Sequence, residues 1–191
     1  MGFFRDVFLP GRVRPVKRSR RDLHVLHMES FHYNKDGKLL WHDPLRSNIL
    51  HDEGELYILS AAFDTDLAGY GAPPASLYIG LDNRNTGGAL AETDTLGMAG
   101  FAEPTGNGYA RQGVSTATGF SLSAVAPYQQ AQSATVTFAA SGGSIGPVRN
   151  RFLCTVGSGT AGKLIASVPL SQSRTLASGD SLQTNIILQL D

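Results

Sequence analysis

The second half of the chain consists largely of short apolar segments separated by Gly, Ser and Pro, and this pattern constrains the fold most strongly. None of the segments has the length or the 3.6-residue periodicity of a buried helix. Hydrophobic residues make up 41% of the chain, which is enough for a core. The sequence therefore predicts a mainly β protein, an antiparallel β-sandwich with one or two short helices. The predicted strands in this half are YARQGVS, GFSLSAVA, SATVTFAA, VRNRFLCTVG, KLIASVPLS and SLQTNIILQL.

Upstream of these segments, a strand is followed by a polar, Gly-rich excursion and then by a second strand. The first strand is LYIGL at residues 77–81, and the chain returns through GYAR at residues 108–111. We expect the two to pair or pack as neighbours. Within the excursion, LAETDTLGM at residues 90–98 predicts a short helix, for which Glu92 and Asp94 are candidate capping residues.

Residues 22–42 predict a β-hairpin, in which the Asp-Gly pair at residues 36–37 supplies the positive φ angles of a tight turn. Phe31, Tyr33 and Trp41 are expected to make aromatic contacts across this hairpin.

Four of the five histidines lie on this predicted hairpin, which raises the question of a metal site. Their spacing matches no zinc motif, and side chains alternate between the two faces of a strand. We therefore interpret them as half-buried polar strand residues and predict no metal site. A weak site at a subunit interface, with Glu29 and Asp43, is the alternative. The four are His24, His27, His32 and His42.

The segment at residues 44–63 contains the best helical pattern of the chain. Ser47 or Asn48 could cap its N-terminus, and several acidic residues favour a first helical turn. HDEGE at residues 51–55 lacks the second histidine of the HExxH zinc motif. The acidic residues are Asp52, Glu53 and Glu55, and the apolar residues at helical spacing are Leu56, Leu59 and Phe63.

The N-terminal arm, residues 1–21, holds seven Lys or Arg and one Asp, a charge of +6, whereas residues 22–191 carry −6. Proline and glycine interrupt any helix in the arm, and its aromatic residues suggest anchors on another protein. A solvated tail is the alternative. We divide the chain into the arm, a hairpin and linker at 22–47, and a sandwich at 48–191. The predicted partner-binding residues are Phe3, Phe4, Arg5, Phe8, Arg12, Arg14, Lys17, Arg18, Arg20, Arg21 and Trp41.

The search for chemistry leaves no catalytic residue and no cofactor site. The single cysteine, Cys154, lies in a strand and predicts a buried, inert thiol. GSGTAGKL at residues 157–164 resembles a P-loop, but Leu164 replaces the magnesium-binding Ser or Thr, so we predict a hairpin turn with a solvated lysine. No apolar run reaches the ~20 residues that span a bilayer, and the N-terminus shows no signal-peptide pattern.

Several segments, in this order along the chain, resemble a class of small virion proteins of tailed bacteriophages, namely head-decoration, head-fibre or minor structural proteins. The similarity covers roughly residues 48–191, and residues 78–81 and 108–111 are its most specific pieces. The arm and hairpin have no counterpart in that class. The segments are NILHDEGELYILSAAF, ASLYIGLDNR, LAETDTL, AEPTGNGYARQGVS and LASGDSLQTNIILQL.

The resemblance implies a virion structural protein without catalytic residues, assembled in the host cytoplasm. Our first hypothesis is a capsid decoration or cement protein, which binds the major capsid protein or portal subunits through the arm and forms a homo-oligomer in the particle. A neck, collar or tail-associated protein is the alternative. A carbohydrate- or receptor-binding module, with Tyr70, Tyr109 and Tyr128 as exposed aromatics, is another, and nucleic-acid contact by the arm is a further one.

Overall fold

Eleven strands and one helix make up the described part of the chain in a computed structural model, which covers residues 27–47, 49–63, 74–84, 89–125 and 128–190. The strands are β1 (His27–Tyr33), β2 (Leu39–Ser47), β3 (Ile49–Leu50), β4 (Ser76–Asp82), β5 (Gln112–Ser115), β6 (Phe120–Val125), β7 (Tyr128–Ser133), β8 (Val136–Ala139), β9 (Ile145–Cys154), β10 (Leu164–Leu176) and β11 (Ser181–Leu190), and the helix is α1 (Asp52–Phe63).

The strands form two antiparallel sheets, which confirms the predicted sandwich. The first sheet has the order β2-β1-β11-β7-β6, and β8 pairs with β11 beside β7. The second sheet has the order β3-β10-β9-β4-β5. The core between them contains Met28, Phe138 and Ile186 from the first sheet and Ile79 and Val168 from the second.

The predicted hairpin is formed by β1 and β2, but its turn differs from the prediction. The amide of Asn34 donates to the carbonyl of Lys38, and the amide of Gly37 donates to the carbonyl of Asn34. Only Gly37 in this turn has a positive φ, 77°, so the expected Asp-Gly pair is reduced to one left-handed residue. β1 also pairs with β11 from His27 to Tyr33, which places the hairpin within the first sheet.

The predicted helix and its acidic first turn are confirmed, whereas the predicted caps are wrong. Ser47 ends β2, and α1 begins only at Asp52, beyond Asn48, which itself lies outside the described residues. The residue that precedes the helix is His51, whose carbonyl accepts a hydrogen bond from the amide of Glu55 at 2.9 Å.

The buried face of α1 also differs from the apolar pattern of the sequence. Leu56 and Leu59 are 44% and 51% exposed, while Gly54, Tyr57 and Ser60 are buried. A Cβ atom on Gly54 would lie 2.1 Å from the carbonyl oxygen of Ile165 in β10. The helix can therefore approach β10 this closely only through a glycine.

The excursion at residues 83–111 contains no helix in its described part, 83–84 and 89–111, so the helix predicted at 90–98 is wrong. Asp94 instead accepts a hydrogen bond from the amide of Ala91 at 2.8 Å, a local bond that favours a turn over a helix. Leu90 and Leu96 are buried against β9 and β10, on the face opposite the main core. This second core contains Leu90, Leu96, Phe152, Cys154 and Leu164.

The other predicted strands are confirmed in position, while sequence reasoning missed the two-residue β3, which falls in the segment predicted to be helical, and the longer β7. Its sequence, YQQAQS, has no apolar alternation, so only its pairing with β6 and β11 defines it as a strand. The turn predicted at Gly179 and Asp180 is confirmed, since Gly179 has a φ of 94° and the amide of Asp180 donates to the carbonyl of Ala177.

Candidate functional site

The start of the excursion is fixed by Asp82, a fully buried carboxylate at the end of β4. It accepts hydrogen bonds from Arg84 Nε at 2.8 Å, from Asn150 Nδ2 at 2.9 Å and from the amide of Ala102 at 3.1 Å. Arg84 also lies 3.5 Å from Asp94. A buried charge must be paired and hydrogen-bonded to be tolerated, and Asp82 meets both conditions.

The end of the excursion is fixed by Arg111, which is buried and forms an ion pair with Glu103. The Arg111 guanidinium also donates to the carbonyls of Val156 at 2.9 Å and Gly159 at 2.8 Å, in the loop between β9 and β10. The neighbouring Cys154 is fully buried, as predicted, and burial raises the pKa of its thiol to about 11. Arg111 therefore connects two loops that are distant in sequence.

Tyr109 joins this cluster instead of lying on the surface. Its hydroxyl donates to Glu103 Oε2 at 2.7 Å and accepts from the amide of Leu81 at 3.0 Å. Burial raises the pKa of Tyr109. The predicted proximity of the segments at 77–81 and 108–111 is confirmed, but Tyr109 is not an exposed aromatic. Tyr70 and the side chain of Tyr128 lie outside the described part of the chain.

A buried ion pair joins the two sheets. Arg151 on β9 donates to Ser30 Oγ on β1 at 2.7 Å and to Asp43 Oδ2 on β2 at 2.9 Å. All three residues have 0% exposure. The second oxygen of Asp43 accepts a hydrogen bond from the amide of Ser171 in β10. These bonds link the hairpin to the second sheet through the interior of the sandwich.

His51 and Ser167 form a hydrogen bond of 2.9 Å between Nε2 and Oγ, the arrangement that a base and a nucleophile adopt in many hydrolases. Both side chains are fully buried, so in this conformation no substrate reaches the hydroxyl. His51 Nδ1 lies 3.2 Å from the carbonyl oxygen of Glu92, and burial lowers the pKa of His51 below 6.5. The pair therefore attaches the start of α1 to β10 and to the excursion.

Lys163, the lysine of the P-loop-like segment, contacts a residue of α1. Residues 155–163 form the predicted loop between β9 and β10. Lys163 was expected to be solvated, but it is partly buried and its Nζ lies 3.1 Å from Glu53 Oε1. Glu53 also accepts a hydrogen bond from the amide of Leu164, which connects the first turn of α1 to the start of β10.

His32 and His42 of the hairpin each contact a different carboxylate. His32 Nε2 is 3.1 Å from Asp180, and His42 Nε2 is 2.7 Å from Glu29. The ring of His42 also stacks on Phe31 at 4.6 Å. Across the residues that the structure covers, no group of three or more His, Cys, Asp or Glu side chains could hold a metal ion. His24 lies outside the described residues.

The predicted partner-binding residues divide into two groups. Those of the arm, from Phe3 to Arg21, lie outside the described residues, and their role stays a prediction. Trp41 on β2 is partly buried, packs against the main core, and has the guanidinium of Arg174 at 4.5 Å over its ring. Its ring therefore contributes to the sandwich, and its contact with a partner also stays a prediction.

The structure adds candidate contact surfaces, which are formed by exposed apolar side chains. Leu122 on β6 is 83% exposed, the highest value among the large hydrophobic residues described. Sequence reasoning missed it because the strand GFSLSAVA suggests an ordinary sandwich strand. The signal that identifies it is charge, since no charged residue occurs from Gln112 to Val148. The other exposed apolar residues are Leu39 and Leu40 on β2 and Leu56 and Leu59 on α1.

The fold and these surfaces define a β-sandwich with internally bonded loops and an exposed apolar edge. Residues 58–188 match the protein family described as Podophage GP4 fiber I protein gp80. This match spans more than half of the chain, so the chain belongs to that family. It is therefore a structural protein of a bacteriophage virion, as the resemblance implied. No curated protein and no solved structure matches the chain. No helix of the described residues is long and apolar enough to cross a membrane.

Proposed function

We propose that this chain is the subunit of a podophage fibre or a similar virion appendage. The family match carries the proposal, because it runs from within α1 to within β11 and so includes the strands β4 to β11, which belong to both sheets of the sandwich. The description of that family names a fibre protein, which favours an appendage over a decoration spread across the capsid. The role is architectural and needs no catalytic residue.

In this proposal the arm attaches the sandwich to the particle. The matched region begins at residue 58, so the basic arm lies outside the part shared with the family. Seven Lys or Arg side chains together with Phe3, Phe4 and Phe8 suit an acidic protein groove with apolar pockets, such as one on a portal or capsid subunit. The remainder of the chain, with its charge of −6, does not compete for an acidic partner.

Labelling of whole particles tests this proposal. An antibody against the sandwich, imaged on purified virions, should mark discrete appendages at one vertex or a few sites. A uniform signal over the shell would instead support the capsid decoration predicted from sequence, and an absence of signal would exclude a place on the outside of the virion.

The attachment is tested separately with particles that lack the protein. Full-length chain should bind to them, and a variant with Phe3, Phe4 and Phe8 changed to Ser should bind at least tenfold more weakly, because burial of each Phe stabilises a contact by about 1.5–3 kcal/mol. Lys35→Ser, an exposed change on the hairpin turn, is the control. Equal binding of all three proteins would show that the arm is not the anchor.

A further inference from the structure

The edges of the two sheets are protected in different ways, and β6 is the exception. Exposed edges usually avoid pairing with other chains by being short or by carrying charge or proline. β3 has two residues, and β5 and β8 have four each. β2 is longer, but it contains Asp43, Pro44 and Arg46. β6 has six residues, FSLSAV, without charge or proline.

The outer edge of β6 is open, since within the described residues no strand lies beyond it. The amide of Ala134 donates to the carbonyl of Gly119, so alternate residues from Gly119 onward bond toward β7. The backbone groups of Leu122, which falls between them, therefore point away from β7. Ser121, Leu122 and Ser123 are exposed on both faces of the strand, so nothing in the described sandwich covers it.

An apolar row leads from the core to this edge. Leu188 on β11 is opposite Ala131 on β7, and Ala131 is opposite Leu122 on β6. Leu188 packs against the main core, whereas Leu122 is 83% exposed. The core-facing side of the first sheet thus continues outward beyond the area that the second sheet covers.

Charge favours a second copy as the strand that covers this edge. Residues 22–191 carry a net charge of −6, so copies of the body repel one another over most of their surface. Every one of these charges lies outside Gln112–Val148. Two copies that meet along β6 bring no like charges together, which is the condition for a symmetric contact of a surface with itself.

We propose that β6 pairs with β6 of a second copy, antiparallel and about a two-fold axis at Leu122. In this register Leu122 faces its own copy, and Ser121 faces Ser123 of that copy. The pairing satisfies the outward backbone groups and joins the two apolar rows into one. It extends the proposed function by naming a subunit contact, yet it is a property of the isolated chain and does not depend on the place of the chain in the virion.

The oligomeric state of the full-length chain tests this contact by analytical ultracentrifugation over a range of concentrations. The wild type should form dimers. Leu122→Lys and Leu122→Glu, each measured alone, should dimerise at least about tenfold more weakly, because an apolar contact is lost and like charges face each other. An equal mixture of the two variants should recover dimers, because opposite charges then meet at the axis.

Two controls make the result specific. Leu59→Lys changes an equally large exposed Leu on α1 and should dimerise as the wild type does. If Leu122→Lys fails to fold by circular dichroism, Leu122→Pro replaces it, because it removes an outward amide and leaves the bonds to β7 in place.

Three results would overturn the proposal: a wild type that is monomeric throughout, a Leu122→Lys variant that dimerises normally, or a mixture that stays monomeric. Hydrogen exchange of the β6 amides distinguishes a further occupant, the N-terminal residues of the same chain. Protection that rises with protein concentration supports the contact between copies, and protection that is independent of concentration contradicts it. Particle labelling tests the proposed function, and this solution measurement tests the β6 contact. Either proposal can therefore be wrong while the other is correct.

Discussion

The excursion at residues 83–111 and the segment from Gln112 to Val148 are adjacent in sequence but differ in their charged residues. The first depends on ion pairs, and the second has none. The excursion is held by Asp82 at its start and by Arg111 with Glu103 at its end. The following segment contains no charged residue at all, and it presents Leu122 to solvent. Interior ion pairs thus hold the loops of one copy in place, whereas the neutral edge is available for contact with another copy.

The first region is sensitive to the loss of single partners, because a buried charge without its partner is costly. The second region has no charged residue and therefore no ion pair that a substitution could break, so an exposed side chain such as Leu122 can change with little effect on the fold. The following predictions compare buried ionic and polar contacts, in the excursion and elsewhere in the interior, with the neutral edge, from the largest expected change in the free energy of unfolding to the smallest.

Asp43→Ala should lower the free energy of unfolding by about 3–5 kcal/mol, because it removes a buried carboxylate that accepts a hydrogen bond from the buried Arg151 guanidinium. Urea denaturation measures the loss. Asp36→Ala, on the exposed hairpin turn, is the control and should change stability by less than about 0.5 kcal/mol. A loss below about 1 kcal/mol for Asp43→Ala would show that Arg151 finds another partner or that water enters the site.

Glu103→Gln should destabilise the protein by about 2 kcal/mol, since hydrogen bonds to a charged group contribute roughly 1.5–3 kcal/mol. The ion pair with Arg111 and the bond from Tyr109 would both weaken. Hydrogen exchange should rise in residues 101–111 and in the loop at 155–163, which Arg111 connects. Glu55→Gln on the exposed side of α1 is the matched control, and equal effects of the two variants would contradict the special role of Glu103.

The stability of the fold should decrease with acid partly through His51. Burial lowers the pKa of His51, so the unfolded chain binds the proton more readily than the folded one. The contribution of His51 is complete above a pH of about 6.5 and is lost as the pH falls below that value. His51→Asn should reduce the slope of the unfolding free energy against pH between 7 and 5. An unchanged slope in His51→Asn would place the acid sensitivity elsewhere.

Leu122→Ser should have the smallest effect, within about 0.5 kcal/mol, because an exposed side chain loses little when it is shortened. Unfolding must be followed at a concentration where the chain is monomeric. A loss of more than 1 kcal/mol would mean that Leu122 contributes to the interior of its own copy, and the contrast between the two regions would then be incorrect.

The strands and the sandwich were predictable from the sequence because apolar alternation and turn residues are local signals. The buried face of α1 was not, since Gly54 and Ser60 are buried by their position against β10 and carry no apolar signal. β7 was missed for the same reason, as its glutamines are strand residues only through their partners on β6 and β11.

The ionic contacts could not be predicted from the sequence pattern either. Arg151 lies in VRNRFLC, a segment in which a charged residue suggests a solvent-facing position, and its partner Asp43 is more than a hundred residues away. Only the register of the sheets brings them together. The candidate contact strand was visible in the charge pattern, but its exposure depended on the sheet order, which places β6 at an edge.

The strand register also places His27, the first described residue, relative to β6. His27 is opposite Ile187, Ile187 is opposite Gln132, and Gln132 is opposite Ser121. His27 and Ser121, which lies next to Leu122, thus share one row, three strands apart, or about 14 Å. In a pair of copies joined at β6, the two His27 residues would lie roughly 34 Å apart on opposite flanks of one continuous sheet. If both arms bind the particle as proposed, such a pair would attach at two points, and the first attachment would raise the local concentration that favours the second.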